Sequence, residues 1–392
     1  MSGIYIHIPF CRQACTYCDF YFETSLKHRD GFVPQMLREI AHTQTHFPAL
    51  TAEPVRTLYF GGGTPSRLTT DEIAALIARI RAGWTLEPGA EITLEMNPDD
   101  VHPGRLSELK EAGITRVSMG VQTFDENRLR FMNRAHTRDE ALRALEALAG
   151  AGLPGWTADL IYGNPGQSLE ALSEDLRLLL QFNPPHVSAY SLTVEENTKL
   201  YRMVKKQLVQ PPDDDEVAAQ MQLVTDTFAE AGLIRYEVSN YARPGHESRH
   251  NGAYWRHENY LSFGPGSHGF WWQADGKGAK RTQLAARLKT YMDPDPGIAF
   301  HRVLTDAYTL HELGEERLLL GLRTRRGVSL EELRTRYKYE LSPKQRETAA
   351  RFAAEGLMEP LTETGTNTGT GTLRLTQKGL LFANSIGFEL AE

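Results

Sequence analysis

The sequence predicts an α/β protein: six strands alternate with helices, and a smaller, mostly helical part follows. Three observations predict it. Short β-branched runs recur between stretches of helical periodicity over the first half of the chain. Each run ends in a turn-rich loop, which is the pattern of parallel β/α units. From about Tyr308 the alternation stops and amphipathic helices take over.

Gly3–Ile8 is a short β-branched run ending at Pro9, and reads as the first strand. Residues 30–47 follow as a helix, with Phe32, Met36, Leu37 and Ile40 on one side. Val55–Phe60 is the second strand and runs into Gly61-Gly62-Gly63-Thr64-Pro65. Thr70-Asp71 caps a helix reaching about Arg81. Ala90–Met96 is the third strand, closed by Asn97-Pro98, and Pro103–Ala112 is a helix. Arg116–Gln122 is the fourth strand, followed by helices at Glu126–Phe131 and Arg138–Ala149. Gly155–Tyr162 is the fifth strand, Leu169–Gln181 a helix, and Val187–Leu192 the sixth strand.

Pro211 to Glu216 punctuate the chain and lead into a helix ending near Ala231. Ile234–Tyr241 reads as one more strand. Residues 242–280 are rich in Gly, His and aromatics without a clean period, and are expected to form an ordered loop region over the mouth of the parallel core. Leu310–Leu322, Leu330–Arg336 and Pro343–Glu355 read as helices. Residues 362–372 are a Thr/Gly low-complexity loop, expected to be mobile. A short strand at Leu373–Thr376 and a helix at Lys378–Asn384 complete the chain, in an arrangement that resembles a winged helix.

The chain has 392 residues and a formal net charge of −7, so it offers no basic field for nucleic acid. No apolar run reaches the length of a membrane span, and the N-terminus lacks the basic and apolar regions of a signal peptide. A cytoplasmic location is expected; peripheral attachment to a membrane complex stays open.

All three cysteines, Cys11, Cys15 and Cys18, fall in one short loop with C-x3-C-x2-C spacing. An odd number in one loop argues against a disulfide framework. Thiolates this close are usual metal ligands. Iron–sulfur clusters normally take four, so three would leave one iron of a [4Fe–4S] cluster open. The alternative is a structural zinc site of Cys3His type, with His7 as fourth ligand.

The cysteine spacing, with Tyr17 directly before the last cysteine, resembles the radical S-adenosylmethionine (SAM) family. That resemblance implies an open, partial (β/α)6 TIM-like barrel, a [4Fe–4S] cluster on Cys11, Cys15 and Cys18, and SAM chelating the open iron. From composition and element pattern, domains are expected at 1–210 (core barrel with cluster and SAM), 211–300 (capping region with the His250–Trp255 motif) and 301–392 (winged-helix-like domain with a docking or lid role). In such barrels the chemistry sits at the C-terminal ends of the strands.

Glu95 and Gln122 end strands, Asp159 lies in the fifth, and Arg134 follows Phe131. A carboxylate and an amide can hold ribose hydroxyls, and an arginine can clamp a carboxylate. Tyr5-x-His7-Ile-Pro-Phe-Cys, Gly61–Pro65, Glu95–Pro98, Ser118–Gln122, Asn133-Arg134 and Asp159–Gly163 resemble, in order, the motifs of the family's porphyrin-related branch. The resemblance implies SAM contacts at Tyr5, Gly62, Gly63, Thr64, Glu95, Gln122, Arg134 and Asp159, with Tyr17 and Thr193 flanking. His7 is expected to orient the cluster or SAM.

That branch holds oxygen-independent coproporphyrinogen III dehydrogenase and a heme-chaperone subgroup. The dehydrogenase type carries a fourth cysteine where this chain has Phe20, and a longer segment ahead of its first strand. His250-Asn251-Gly252-Ala253-Tyr254-Trp255 resembles the H-N-x-x-Y-W motif of the chaperone subgroup. The resemblance implies heme as ligand, His250 as its axial partner, and recipient apo-hemoproteins as partners. Radical decarboxylation of coproporphyrinogen III is the alternative.

Overall fold

The computed structural model describes residues 3–361 and 371–391. Its centre is a run of six parallel strands in sequence order: β1 (Gly3–Ile8), β2 (Val55–Gly62), β3 (Leu86–Met96), β4 (Arg116–Gln122), β5 (Gly155–Tyr162) and β6 (His186–Ser191). Successive strands are joined through helices, as β/α units require.

Each strand separates two environments, because alternate side chains point to opposite faces. Ile4, Ile6 and Ile8 of β1, Leu58 and Phe60 of β2, Leu94 of β3, and Val117 and Met119 of β4 are buried in one core. Helix residues such as Phe32, Ile73, Leu109, Leu145 and Leu176 complete that core. Burying each such side chain is worth roughly 1.5–3 kcal/mol. The intervening positions, among them Tyr5, His7, Tyr59, Glu95, Ser118 and Asp159, carry the polar groups.

The helices start where their caps dictate. The helix at Thr70–Gly83 is capped by Thr69 rather than by Thr70-Asp71: Thr69 and Glu72 form a reciprocal capping box. The helix at Arg138–Gly150 uses Thr137 and Glu140 in the same way.

Two expectations from the sequence are corrected. Ile234–Tyr241 is not one strand. The chain reverses between β7 (Ile234–Arg235) and β8 (Asn240–Ala242), which pair antiparallel. The Tyr236 N–H donates to Asn240 O at 3.0 Å and the Ser239 N–H to Glu237 Oε2 at 3.3 Å, closing the turn. Residues 242–280 are not a loop over the barrel mouth. After a short helix at Arg249–Trp255 they form β9 (Tyr260–Phe263), β10 (His268–Trp272) and the start of β11 (Gly278–Leu284). β9 pairs in parallel with the outer edge of β1, and β10 and β11 continue antiparallel. A further strand absent from the sequence reading, β12 (Arg302–Thr309), pairs with β11 and ends the sheet. The whole sheet has 12 strands, running from β12 to β7.

Helices at Leu310–Leu322, Leu330–Arg336, Pro343–Ala354 and Ala383–Ala391 surround a second core with the small ladder of β13 (Val328–Ser329) and β14 (Thr372–Leu373). Phe270 of β10 and Ala279 of β11 belong to that second core. Arg281 of β11 pairs with Glu316 at 2.5 Å across the junction. The low-complexity loop expected at 362–372 falls almost wholly outside the described residues. Among the described residues no helix is long and apolar enough to cross a membrane.

Candidate functional site

The three cysteines lie in the loop after β1, and that loop is stitched down on both sides. The Cys11 N–H donates to Glu23 O at 3.0 Å and the Glu23 N–H to Pro9 O at 2.7 Å. Across the barrel, the Thr16 N–H donates to Met132 O at 3.0 Å and Asn133 Nδ2 to Ala14 O at 2.7 Å. Asn133 has φ 56°, a left-handed conformation that asparagine tolerates better than most residues.

Burial pushes the Cys11 thiol up, and pushes Cys18 up to about 12. At Cys11 a hydrogen bond opposes this: Thr64 Oγ1 donates to Sγ at 3.6 Å. Arg134 Nη1 donates to Cys15 Sγ at 3.4 Å. Donors aimed at ligand sulfurs tune a bound cluster. Among the described residues no three His, Cys, Asp or Glu side chains are placed to share one metal ion. A mononuclear zinc site needs such convergence, whereas a cluster takes each thiolate on a different iron. His7, the fourth ligand of the zinc alternative, is engaged elsewhere: Nε2 meets Tyr21 O at 2.9 Å and Nδ1 meets the Tyr5 hydroxyl at 3.3 Å.

The glycine turn at the end of β2 brings bare backbone against the cysteine loop. A Cβ on Gly63 would sit 2.6 Å from Pro9 O and 3.0 Å from Cys11 Sγ. Gly62 has φ 113°, and a Cβ there would sit 2.6 Å from the His7 ring. Both positions therefore need glycine.

Two partly buried carboxyls stand below the turn. Glu95 Oε1 accepts from the Tyr59 hydroxyl at 2.8 Å, and Oε2 from the Gly62 N–H at 3.1 Å. Burial pushes Glu95 up to about 7; the charge of Asp159 adds to this and the two hydrogen bonds oppose it. Asp159 Oδ2 accepts from Ser118 at 3.0 Å, while Oδ1 is buried with no partner in the protein. Burial pushes Asp159 up to about 6, against hydrogen bonds from Ser188 and Ser118. Arg134 Nη2 donates to Asn97 Oδ1 at 2.6 Å and Gly120 O at 2.8 Å. Gln122 sits at a register shift between β4 and β5 with φ 68°, an irregularity of the kind that re-aims a side chain.

These groups line one cavity of about 520 Å³ at the C-terminal ends of the strands. Its wall includes Cys11, Cys15, Tyr17, Cys18, Gly62, Gly63, Thr64, Glu95, Gln122, Arg134, Asp159 and Thr193. It also includes Asn97, Ser118 and Tyr190, which the sequence reading did not single out as site residues. Asn97 and Ser118 lie inside motifs already noted, and Tyr190 shares a strand face with Ser188. A second cavity, of about 740 Å³, lies at the opposite ends of β3 and β4, around Trp84, Leu86 and Thr115, away from these groups.

Two expected residues lie outside the cavity wall. Tyr5 sits one layer below it. Its ring packs against Tyr59 at 6.0 Å and its hydroxyl turns to His7. His250 lies deeper still, 1% exposed, on the first turn of the helix at Arg249–Trp255. Its Nδ1 meets Thr57 Oγ1 at 2.7 Å and its Nε2 meets the Tyr254 hydroxyl at 2.7 Å. Burial pushes its pKa down to about 3, so the ring is neutral. An axial heme ligand must present a free ring nitrogen. In this structure both nitrogens of His250 are hydrogen-bonded, to Thr57 and Tyr254.

Three comparisons bear on this architecture. The family model described as "Radical SAM superfamily" matches residues 5–179. The heme chaperone HemW of Bacillus subtilis is 32% identical over 392 residues, covering 98% of both chains. That of Mycobacterium tuberculosis is 34% identical, covering 98% of this chain and 93% of its own. Among solved structures, coproporphyrinogen III oxidase (HemN) from Escherichia coli, described as a radical SAM enzyme, superposes with a TM-score of 0.80. It covers 99% of this chain and 89% of its own at 21% identity, a likeness of fold.

Proposed function

The chain belongs to the radical SAM superfamily and, within it, to the family of the heme chaperone HemW, and from that premise we propose that it binds heme and hands it to recipient apo-hemoproteins. The observation that carries this reading is the likeness to curated heme chaperones along nearly the whole chain, the C-terminal domain included.

Cys11, Cys15 and Cys18 would hold a [4Fe–4S] cluster, with Thr64 and Arg134 donating to the sulfurs of Cys11 and Cys15. The adjoining cavity would hold SAM, with Gly62, Gly63, Tyr17, Gln122 and Thr193 among the residues that would border it. Asp159, on the cavity wall, would accept from a ribose hydroxyl. Arg134 is already committed to Asn97, Gly120 and Cys15, so its charge serves the cluster more directly than a substrate carboxylate. When bound, the reduced cluster and SAM supply one-electron chemistry at the sulfonium.

Decarboxylation of coproporphyrinogen III is the competing chemistry. The fold likeness to HemN at 21% identity does not carry it. Phe20 stands at the cavity rim, 66% exposed, where the dehydrogenase type has its extra cysteine. The separating experiment gives anaerobically reconstituted, reduced protein SAM, an electron acceptor and coproporphyrinogen III. In parallel, the protein is titrated with heme. Saturable heme absorbance without protoporphyrinogen IX is expected. Turnover to protoporphyrinogen IX would overturn the chaperone reading.

A further inference from the structure

The H-N-x-x-Y-W segment lies under the SAM cavity, not beside it. We propose that His250 is a positioning residue for Glu95, acting through Tyr59, and that the segment's role in this arrangement is to brace the SAM-facing carboxylate. This rests on the reading that Glu95 faces SAM.

The contacts form one continuous stack. Glu95 depends on the Tyr59 hydroxyl, which donates to Oε1 at 2.8 Å. The Tyr59 ring lies on the His250 imidazole, with ring centres 4.9 Å apart and planes 22° from parallel. Tyr5 packs against both rings, 6.0 Å from Tyr59 and 6.5 Å from His250. Without the His250 ring, Tyr59 would keep only its contact with Tyr5 among these rings, and its hydroxyl would be held less firmly on Glu95.

His250 is built to stay in place. The backbone N–H donates to Glu91 Oε1 at 3.0 Å, which anchors the helix start to β3. One ring nitrogen is tied to Thr57, two residues before Tyr59 on β2 and on the same face. The other is tied to Tyr254, whose ring packs edge-on against Tyr260 of β9 at 4.6 Å. A neutral imidazole is the side chain that can donate at one nitrogen and accept at the other while presenting a flat face. Gly3 opens the slot: a Cβ there would lie 2.6 Å from Thr57 Oγ1 and 3.0 Å from the His250 ring. The arrangement links four strands and a helix around one carboxylate, with both His250 ring nitrogens hydrogen-bonded.

The test measures SAM affinity of the reconstituted protein by equilibrium dialysis, and the change that SAM produces in the paramagnetic resonance of the reduced cluster. Heme absorbance is recorded on the same samples. The variants are Glu95→Gln, Tyr59→Phe, His250→Ala, His250→Gln and the double Tyr59→Phe/His250→Ala. Glu95→Gln should weaken SAM strongly. Tyr59→Phe and His250→Ala should each weaken it about tenfold, the scale of a lost hydrogen bond to a charged group. The double variant should be no worse than the worse single, because both act through one contact. His250→Gln, which can still donate and accept, should recover most of the affinity. Heme absorbance should persist in all of them.

A neutral Glu95→Gln would remove the SAM reading on which this rests. A damaging Glu95→Gln with neutral Tyr59→Phe and His250→Ala would overturn the brace and leave that reading intact. Loss of the heme band in His250→Ala, with SAM affinity kept, would return His250 to the role of axial ligand. Tyr59→Phe removes one oxygen and keeps the ring, so it remains informative even where His250→Ala fails to fold.

Discussion

Glu95 and Asp159 are carboxyls held where water would not put them. Each is partly buried, and each has its pKa raised, to about 7 and about 6. The native state therefore keeps their protons at pH values where the unfolded chain has lost them. By linkage, stability falls as pH rises between the unfolded values and the folded ones, so the loss is complete above about pH 7. Glu95→Gln should raise the stability of the cluster-free protein at pH 8 by roughly 2–3 kcal/mol, and change little at pH 4. Urea unfolding at the two pH values measures this, and equal effects at both would contradict it. At Gly62 the constraint is steric. Gly62→Ala meets both a positive φ and the His7 ring, and should cost at least 1–2 kcal/mol together with SAM binding. At this scale the sequence singled out most of the residues that line the cavity but not the depth of the others. The wall residues from Cys11 to Thr193 were legible as motif positions. The placement of Tyr5 and His250 below the wall was not, because a motif carries no information on which nitrogen of a histidine is already taken.

The parallel units were legible because a β-branched run, a turn and a capped amphipathic helix repeat in the same order, and each helix start has a local signal. Thr137→Ala should remove one of these and cost about 1 kcal/mol, with iron content unchanged. Asn133→Ala should behave differently. It loses the bond to Ala14 O and the tolerated left-handed backbone, so the cysteine loop loosens. Iron release to a chelator should then be several times faster, while the melting temperature moves little; unchanged release would show that the loop is held by its other contacts. The strands β9 to β12 were hidden for a physical reason. They lie where the sheet passes between two cores, so both faces carry mixed aromatic, glycine and charged residues. Phe270 is buried among apolar residues while Lys280 on the paired strand is exposed, and no period of two emerges.

For the whole molecule, the sheet is what joins the cluster-bearing half to the C-terminal helices. β11 and β12 pair across residue 300, and the second core takes Phe270 and Ala279 from the sheet. A boundary at 300 read from composition therefore cuts through a ladder. A chain ending at residue 300 would expose the edge of β11 and the apolar partners of the second core. It should be insoluble or lack a cooperative melt, and a well-folded, SAM-binding fragment would contradict this. The cavity beside the cysteine loop, about 520 Å³, is of a size to take a small molecule.

The most direct measurement of the central claim is heme transfer. Reconstituted protein is loaded with heme, freed of excess, and mixed anaerobically with an apo-hemoprotein in the presence of SAM. The donor's heme absorbance is followed together with the recipient's regained spectrum. The account predicts that heme leaves this protein and appears, one for one, in the recipient, and that Cys15→Ala abolishes or slows the exchange. Heme that stays bound, or that moves no faster than free heme and equally well from Cys15→Ala, would contradict it.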